Sequence, residues 1–271
     1  MNLPQSSHKI GIIGCGWLGF RLAKYLSAQY ALTVTTTTPS KVPLLNSEGF
    51  SSHLLDLSSI FFESNTHLKN ELSETTHIIL SIPFSKKALL SEIKIKIKNL
   101  LTLLEGYRGI VILFSSIGIY PDTGQPISED TIDPCLLNKN LHYVENSLQS
   151  AFSDLLILRL GGLMGDDRFF SKYFKNKPIP NPYSRVNHIH YTDICRLVKK
   201  LIEYNYNKKT YNLVAPLHPT KVELFNFQMN KKENDIVQSE NTFQSGKIVS
   251  SEKITTELNY QFTYPDPLNF K

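Results

Sequence analysis

Lys9-Ile10-Gly11-Ile12-Ile13-Gly14-Cys15-Gly16-Trp17-Leu18-Gly19 decides how this chain folds. Lys9 to Ile13 is an apolar run of strand length, and Gly14 to Gly19 reads G-x-G-x-x-G. Leu18, Leu22, Ala23 and Leu26 follow at helical spacing. Strand, glycine turn and helix, in that order, turn a weak string match into a dinucleotide-binding turn. Each glycine has its own task. Gly14 allows the tight turn out of the strand. Gly16 lacks a Cβ, so a pyrophosphate can approach the backbone. Gly19 lets the helix pack on the strand. The first N–H groups of the helix and its positive dipole end then face the phosphates. The competing reading is a glycine-rich turn with no ligand, and the flanking pattern speaks against it.

Outward from this turn, short β-branched runs recur with little alternation, as strands covered on both faces do. They are Ala31 to Thr36, Phe50 to Leu57, His77 to Ile82, Ile110 to Ser115 and Leu155 to Leu160. Lys86 to Glu105 contains an alternating IKIKIK. Ile93, Ile97, Leu100, Leu101 and Leu104 form a helical row in the same stretch, which predicts a helix with Lys94 and Lys98 in water. Asn138 to Phe152 is a second predicted helix. Strands alternating with helices imply an α/β, doubly wound parallel sheet of Rossmann type.

After Leu160 the rhythm breaks into a stretch rich in Gly, Pro, Asn and aromatics. Beyond it lie a strand at Val186 to His190, a helix at Asp193 to Tyr204, a strand at Tyr211 to Val214 and a helix after Thr220. The expected division is a Rossmann domain over 1–160 and a smaller α+β lobe over 161–271, interwoven with the sheet.

The 271 residues suffice for one large domain, or for one domain and a lobe. Composition is ordinary for a globular chain, with 41% hydrophobic and 20% charged residues. The net charge of +5 is spread without a basic block, so no nucleic-acid partner is expected. Cys15, Cys135 and Cys195 are isolated, which argues against a disulfide framework or a cysteine zinc site. The first residues, MNLPQSSHK, lack an apolar signal core, and no apolar run has membrane length. The expectation is a cytoplasmic protein with no membrane partner.

Nucleotide choice is read at the end of the second strand, where a carboxylate bonds a ribose 2′-hydroxyl and repels a 2′-phosphate. Here stand Thr35, Thr36, Thr37, Thr38, Pro39, Ser40 and Lys41: hydroxyls and one cation, no carboxylate. That set points to NADP, with NAD as the alternative. Asp56 closes the third predicted strand, either beside an adenine or as a helix N-cap. Phe114-Ser115-Ser116-Ile117-Gly118-Ile119-Tyr120 leaves the fifth strand at its carboxyl end, where open α/β sheets bind ligands.

GCGWLG, LLDL, FSSIGIYPDTG with SEDT, LRLGGLMG, VNHIHYTDI and YNLV run in order across nearly the whole chain. As an ordered set they resemble an atypical extended short-chain dehydrogenase/reductase of the NAD(P)-dependent sugar epimerase/dehydratase group. The resemblance implies that Gly14, Gly16, Trp17, Leu18 and Gly19 hold the pyrophosphate. It places Thr36, Thr37 and Thr38, with Lys41 near, at the adenosine ribose, and Asp56 with Leu57 at the adenine. Ser81 and Pro83 border the ribose near the nicotinamide, and Leu160, Gly161 and Gly162 lie beside that ring. Ser116 takes the position of the family's active-site serine.

One departure matters. On the helix after the fifth strand the family carries Tyr-x-x-x-Lys; alignment on Glu145 puts Leu137 and Leu141 at those positions, and the nearest alternative, Cys135 with Lys139, also lacks the Tyr. Neither pair can reproduce that proton donor. Tyr120, close to Ser116 in sequence, is a candidate stand-in, as are His142 and Tyr143, with a packed aromatic or a surface side chain as the stronger competing reading for each. His188 and Arg168 are candidate substrate contacts. His188 and His190 share a strand face but lack a carboxylate partner, so no metal site is expected. The reading is an NAD(P)-binding oxidoreductase or epimerase-like protein acting on a small, sugar- or nucleotide-linked substrate, as a monomer or homodimer. The alternative is a non-catalytic NAD(P)-binding sensor or interaction protein.

Overall fold

Burial on both faces makes the apolar runs into strands. Ile10, Ile12, Ile13, Val34, Ile78, Ile79, Leu80, Val111, Ile112 and Leu113 are all nearly sealed from solvent. The structure, a computed structural model, describes residues 8–63, 65–175, 177–230 and 246–270. The elements in chain order begin β1 (Lys9–Ile13), α1 (Trp17–Leu26), β2 (Ala31–Thr36), α2 (Lys41–Ser47), β3 (Ser51–Leu54), α3 (Thr66–Ser73) and β4 (His77–Leu80). They continue with α4 (Leu90–Leu103), β5 (Ile110–Ser116), β6 (Pro126–Ile127), α5 (Lys139–Ala151), β7 (Leu156–Leu160), β8 (Gly162–Met164) and α6 (Phe170–Phe174). Then come β9 (His188–His190), α7 (Tyr191–Glu203), β10 (Thr210–Leu213), α8 (Lys221–Met229), β11 (Ile248–Val249) and α9 (Glu252–Leu258).

Seven strands form one parallel sheet in the order β10-β7-β5-β4-β1-β2-β3. Counted along the sheet strands alone this is the doubly wound order, whose switch point lies between β1 and β4. The expected fold class is therefore the observed one. Helix α4 resolves the IKIKIK ambiguity. Ile93, Ile97, Leu100 and Leu103 point inward, whereas Lys94 and Lys98 are exposed. A strand would have put all three isoleucines on one face and all the lysines on the other.

The predicted third strand is longer than the observed one. β3 ends at Leu54, and Asp56 closes a turn instead, its Oδ1 accepting from Ser58 N at 2.8 Å and Ser58 Oγ at 2.6 Å. Helix α7 starts two residues earlier than expected, so Asp193 lies in its first turn. Helix α8 begins as predicted, because Thr220 and Glu223 form a reciprocal capping box.

The chain falls into two compact units that are not consecutive in sequence. The first comprises residues 1–115, 139–158 and 201–210, the second residues 116–138, 159–200 and 211–271. The division passes through β7 and β10. The core of the first unit joins Leu68, Leu72, Ile78, Leu80, Ile93, Ile97, Leu113, Val144 and Leu148. That of the second gathers Met164, Phe170, Val186, Ala215, Leu224 and Phe270. Among the described residues no helix is long and apolar enough to cross a membrane.

Candidate functional site

The glycine turn sets the geometry of the first unit's cleft. Gly14 has φ +101°, and a Cβ there would lie 2.6 Å from Ser81 O. A Cβ on Gly19 would strike Gly14 O, while one on Gly16 would meet nothing within 4 Å. The first and third glycines are thus required by the backbone itself. The second opens space at an exposed position. Two bonds from β2 hold the turn: Gly14 N donates to Thr35 Oγ1 at 3.1 Å and Cys15 N to Thr35 O at 2.6 Å. Gly16 caps α1 without a side-chain bond, so the helix start is left to be satisfied by something other than a capping side chain.

A cleft of about 500 Å³ adjoins this turn. It is lined by Ile13 to Gly16, Thr35 to Thr38, Lys41, Leu55 to Ser58, Ser81 to Pro83, and Lys96. The structure therefore brings together Gly14, Gly16, Thr36, Thr37, Thr38, Lys41, Asp56, Leu57, Ser81 and Pro83. Leu18 and Gly19 are buried in the first turn of α1. Trp17 is half-buried, with the Arg21 guanidinium 4.0 Å from its ring centroid. Asp56 lines the cleft and closes a turn onto Ser58 rather than capping a helix, the cap of the next helix being Asn65. Ser58's hydroxyl and N–H hold the Asp56 carboxyl below its ordinary range. Burial pushes the Cys15 thiol up to about 11, with Lys41 opposing, which makes it an inert wall rather than a nucleophile.

Lys96 is a charged lining residue with no signal in the sequence pattern. It sits between the outward lysines of α4, half-buried, and only the packing of α4 shows that it reaches the cleft. Glu145 was read only as an alignment anchor. It is buried and accepts the Ser115 hydroxyl at 2.6 Å. Leu141 lies one turn before it on α5 and is also buried, and Leu137 precedes the helix.

The second unit holds the remaining candidates. Ser116 Oγ accepts from Gly118 N at 3.0 Å, capping a short 3-10 turn. Tyr120 is buried, its hydroxyl donating to Asn212 Oδ1 at 2.7 Å and accepting from Arg159 Nη1 at 2.7 Å. Asn212 N in turn donates to Glu129 Oε1 at 2.6 Å. Burial raises the Tyr120 hydroxyl above its ordinary range, against the pull of Arg159.

Gly161 N donates to Leu213 O, and Gly162 N to Asn187 O. A Cβ on Gly161 would approach Asn187 O to 2.6 Å, and one on Gly162 would strike the His188 ring. Leu160 is buried at the end of β7. His188 packs against Phe170 at 5.6 Å between ring centroids, and its Nδ1 is buried with no partner among the described residues. Burial, helped by Lys221, pushes its imidazole down to about 4, so it is neutral at pH 7. His190 instead stacks on Tyr264 at 3.9 Å and accepts from Thr192 N at 3.3 Å. Arg168 closes a tight turn, its N and O bonded to Gly165.

No family model matches the chain. The fold is the one seen in solved epimerase and dehydratase structures. UDP-glucuronic acid 4-epimerase of Bacillus cereus, solved with NAD, aligns at TM-score 0.73 with 16% identity, covering 97% of this chain and 94% of that one. dTDP-glucose 4,6-dehydratase of Bacillus anthracis, also solved with NAD, aligns at TM-score 0.71 with 14% identity, covering 96% and 94%. In sequence, the chain is similar to protein YeeZ of Escherichia coli K12. The two are 28% identical over 268 residues, spanning 96% of this chain and 97% of YeeZ.

Proposed function

We propose that the chain binds NADP(H) in the cleft of its first unit and acts as an oxidoreductase or epimerase-like enzyme on a small, sugar- or nucleotide-linked substrate. The observation that carries the cofactor half is the charge of the cleft. Lys41 and Lys96 line it with the hydroxyls of Thr35 to Thr38, at the strand end where an NAD-selective carboxylate would stand. The open space at Gly16 and the uncapped start of α1 fit a pyrophosphate. Gly16, Trp17, Leu18 and Gly19 hold the phosphates in this reading. Thr36 to Thr38 with Lys41 take the ribose phosphate, and Asp56 with Leu57 borders the adenine. When bound, the nicotinamide supplies hydride transfer.

Ser116 is the proposed substrate contact. Its oxygen accepts Gly118 N–H, which leaves the hydroxyl proton to donate to a substrate oxygen. Leu160, Gly161 and Gly162 border the nicotinamide, and His188 and Arg168 contact substrate. Tyr120 is left out of the proton chemistry, because Arg159 and Asn212 already use its hydroxyl as acceptor and donor. The nucleotide-sugar class is suggested by two of the similar structures, a UDP-sugar epimerase and a dTDP-sugar dehydratase.

A second reading, a non-catalytic NAD(P) binder, is favoured by Leu137 and Leu141 at the positions of the family's proton-handling pair. Turnover separates the two. Incubation with NADP+ or NADPH and a panel of sugar nucleotides and aldehydes is expected to show product that Ser116→Ala reduces. Cofactor binding without turnover on any of them favours the sensor. Full turnover by Ser116→Ala removes Ser116 from the site.

A further inference from the structure

We propose that His53, His67 and Glu71 form a binding site for a divalent transition-metal ion of zinc type at the edge of the sheet. Strand β3 is the last strand of the seven-stranded order. Its register sets Ser51 beside Thr33 and His53 beside Thr35, so Thr33, Ser51 and His53 share one face. Helix α3 covers that face with His67 and Glu71, four apart and therefore on one side of the helix.

The Glu71 carboxylate lies between the two imidazoles. Its Oε2 is 3.1 Å from His53 Nε2 and its Oε1 is 3.2 Å from His67 Nδ1. All three ligand atoms fall within 4.8 Å of one another. Zinc bonds of about 2.0–2.1 Å in a tetrahedron put neighbouring ligand atoms roughly 3.3–3.4 Å apart. Each imidazole is thus already at metal spacing from one Glu71 oxygen, His53 from Oε2 and His67 from Oε1. Bringing both imidazoles onto one ion takes a turn of His67, whose side chain is 75% exposed and whose ring centroid lies 5.4 Å from that of His53.

The carboxylate is oriented before any ion arrives. Ser51 Oγ donates to Oε2 at 2.7 Å and Thr33 Oγ1 at 3.1 Å. Such outer hydroxyls fix a ligating carboxylate in metal sites. Imidazole nitrogens select zinc, nickel or copper over magnesium or calcium. Three protein ligands leave a position for water, so the site is open rather than closed. The ion would clamp α3 to an edge strand and would stabilise the first unit by mass action. None of the three ligands lines the nucleotide cleft, so the inference stands apart from the proposed function.

The test uses the full chain, stripped with chelator and titrated with zinc by calorimetry beside thermal unfolding. The expected result is one ion per chain and a higher melting temperature with zinc. His67→Ala, at an exposed position, is expected to keep the metal-free melting temperature and to weaken binding by at least about 10-fold, with Ser51→Ala weakening it by about 10-fold. Two results would overturn the site. One is no binding at about 0.1 mM free zinc, where even a weak site would raise the melting temperature. The other is unchanged affinity in both His53→Ala and His67→Ala.

Discussion

Gly14 and Gly19 are glycines because a methyl group has nowhere to go. At Gly14 the backbone is also in the left-handed region, at φ +101°. Gly14→Ala is therefore expected to destabilise the protein by about 1–3 kcal/mol, read as a lower urea midpoint. Gly16→Ala is expected to leave the urea midpoint near wild type, since its Cβ meets nothing, and to weaken dinucleotide binding. The pair of variants separates folding from ligand approach at neighbouring positions. Such roles were legible in the sequence because a glycine turn is local. Lys96 was not, because its reach into the cleft depends on where α4 packs. If Lys41 and Lys96 meet a 2′-phosphate, Lys41→Ala and Lys96→Ala each remove a charged contact worth about 1.5–3 kcal/mol. NADPH binding should then weaken by about 10-fold or more, with NADH binding little changed.

At the scale of elements, long runs were readable and short ones were not. β1, β2, β5, α4 and α5 follow from apolar period and length. α2, α3, α9 and the two- or three-residue strands β6, β8 and β11 have too few residues for a period to show. The start of α7 carries a contact invisible to any pattern. Asp193 is fully buried and accepts from Tyr260 Oη at 2.6 Å, Thr263 N at 2.7 Å and Tyr264 N at 3.0 Å. The sequence marked Asp193 only as a helix start, whereas it holds the chain after α9 from 70 residues away. Asp193→Ala leaves the buried Tyr260 hydroxyl and the part-buried N–H groups of Thr263 and Tyr264 without this acceptor and is expected to cost about 3 kcal/mol. Asp193→Asn keeps one acceptor oxygen and is expected to recover part of that in urea unfolding. The Tyr120 hydroxyl, a candidate for chemistry in sequence with a packed aromatic as the stronger reading, is likewise bonded to Arg159 and Asn212, which are far along the chain.

At the scale of the whole molecule, two buried histidines set the acid limit. Burial lowers His77 to about 4, with His8 adding to the shift, and His188 also to about 4. In the unfolded chain both return to about 6.5. Between pH 6.5 and 4 the unfolded state binds more protons, so stability is full above 6.5 and falls as pH drops through that window. The loss amounts to about 3 kcal/mol per histidine at pH 4. Urea midpoints measured at pH 7.5 and 5 should differ in that direction, and His77→Gln should flatten the difference. A lobe interwoven with the sheet is expected from the sequence, whereas the segment boundaries of the two units are not, because they are defined by contacts that join separate chain segments. The central claim concerns the cleft beside the glycine turn, and Trp17, the sole tryptophan, stands within that turn as its reporter. Titrating the protein with NADPH and with NADH while following Trp17 fluorescence tests it most directly. The account predicts quenching with energy transfer to the reduced nicotinamide, at lower concentration for NADPH. No change in the Trp17 signal with either dinucleotide at about 1 mM, the weak end of ordinary affinities, would contradict it.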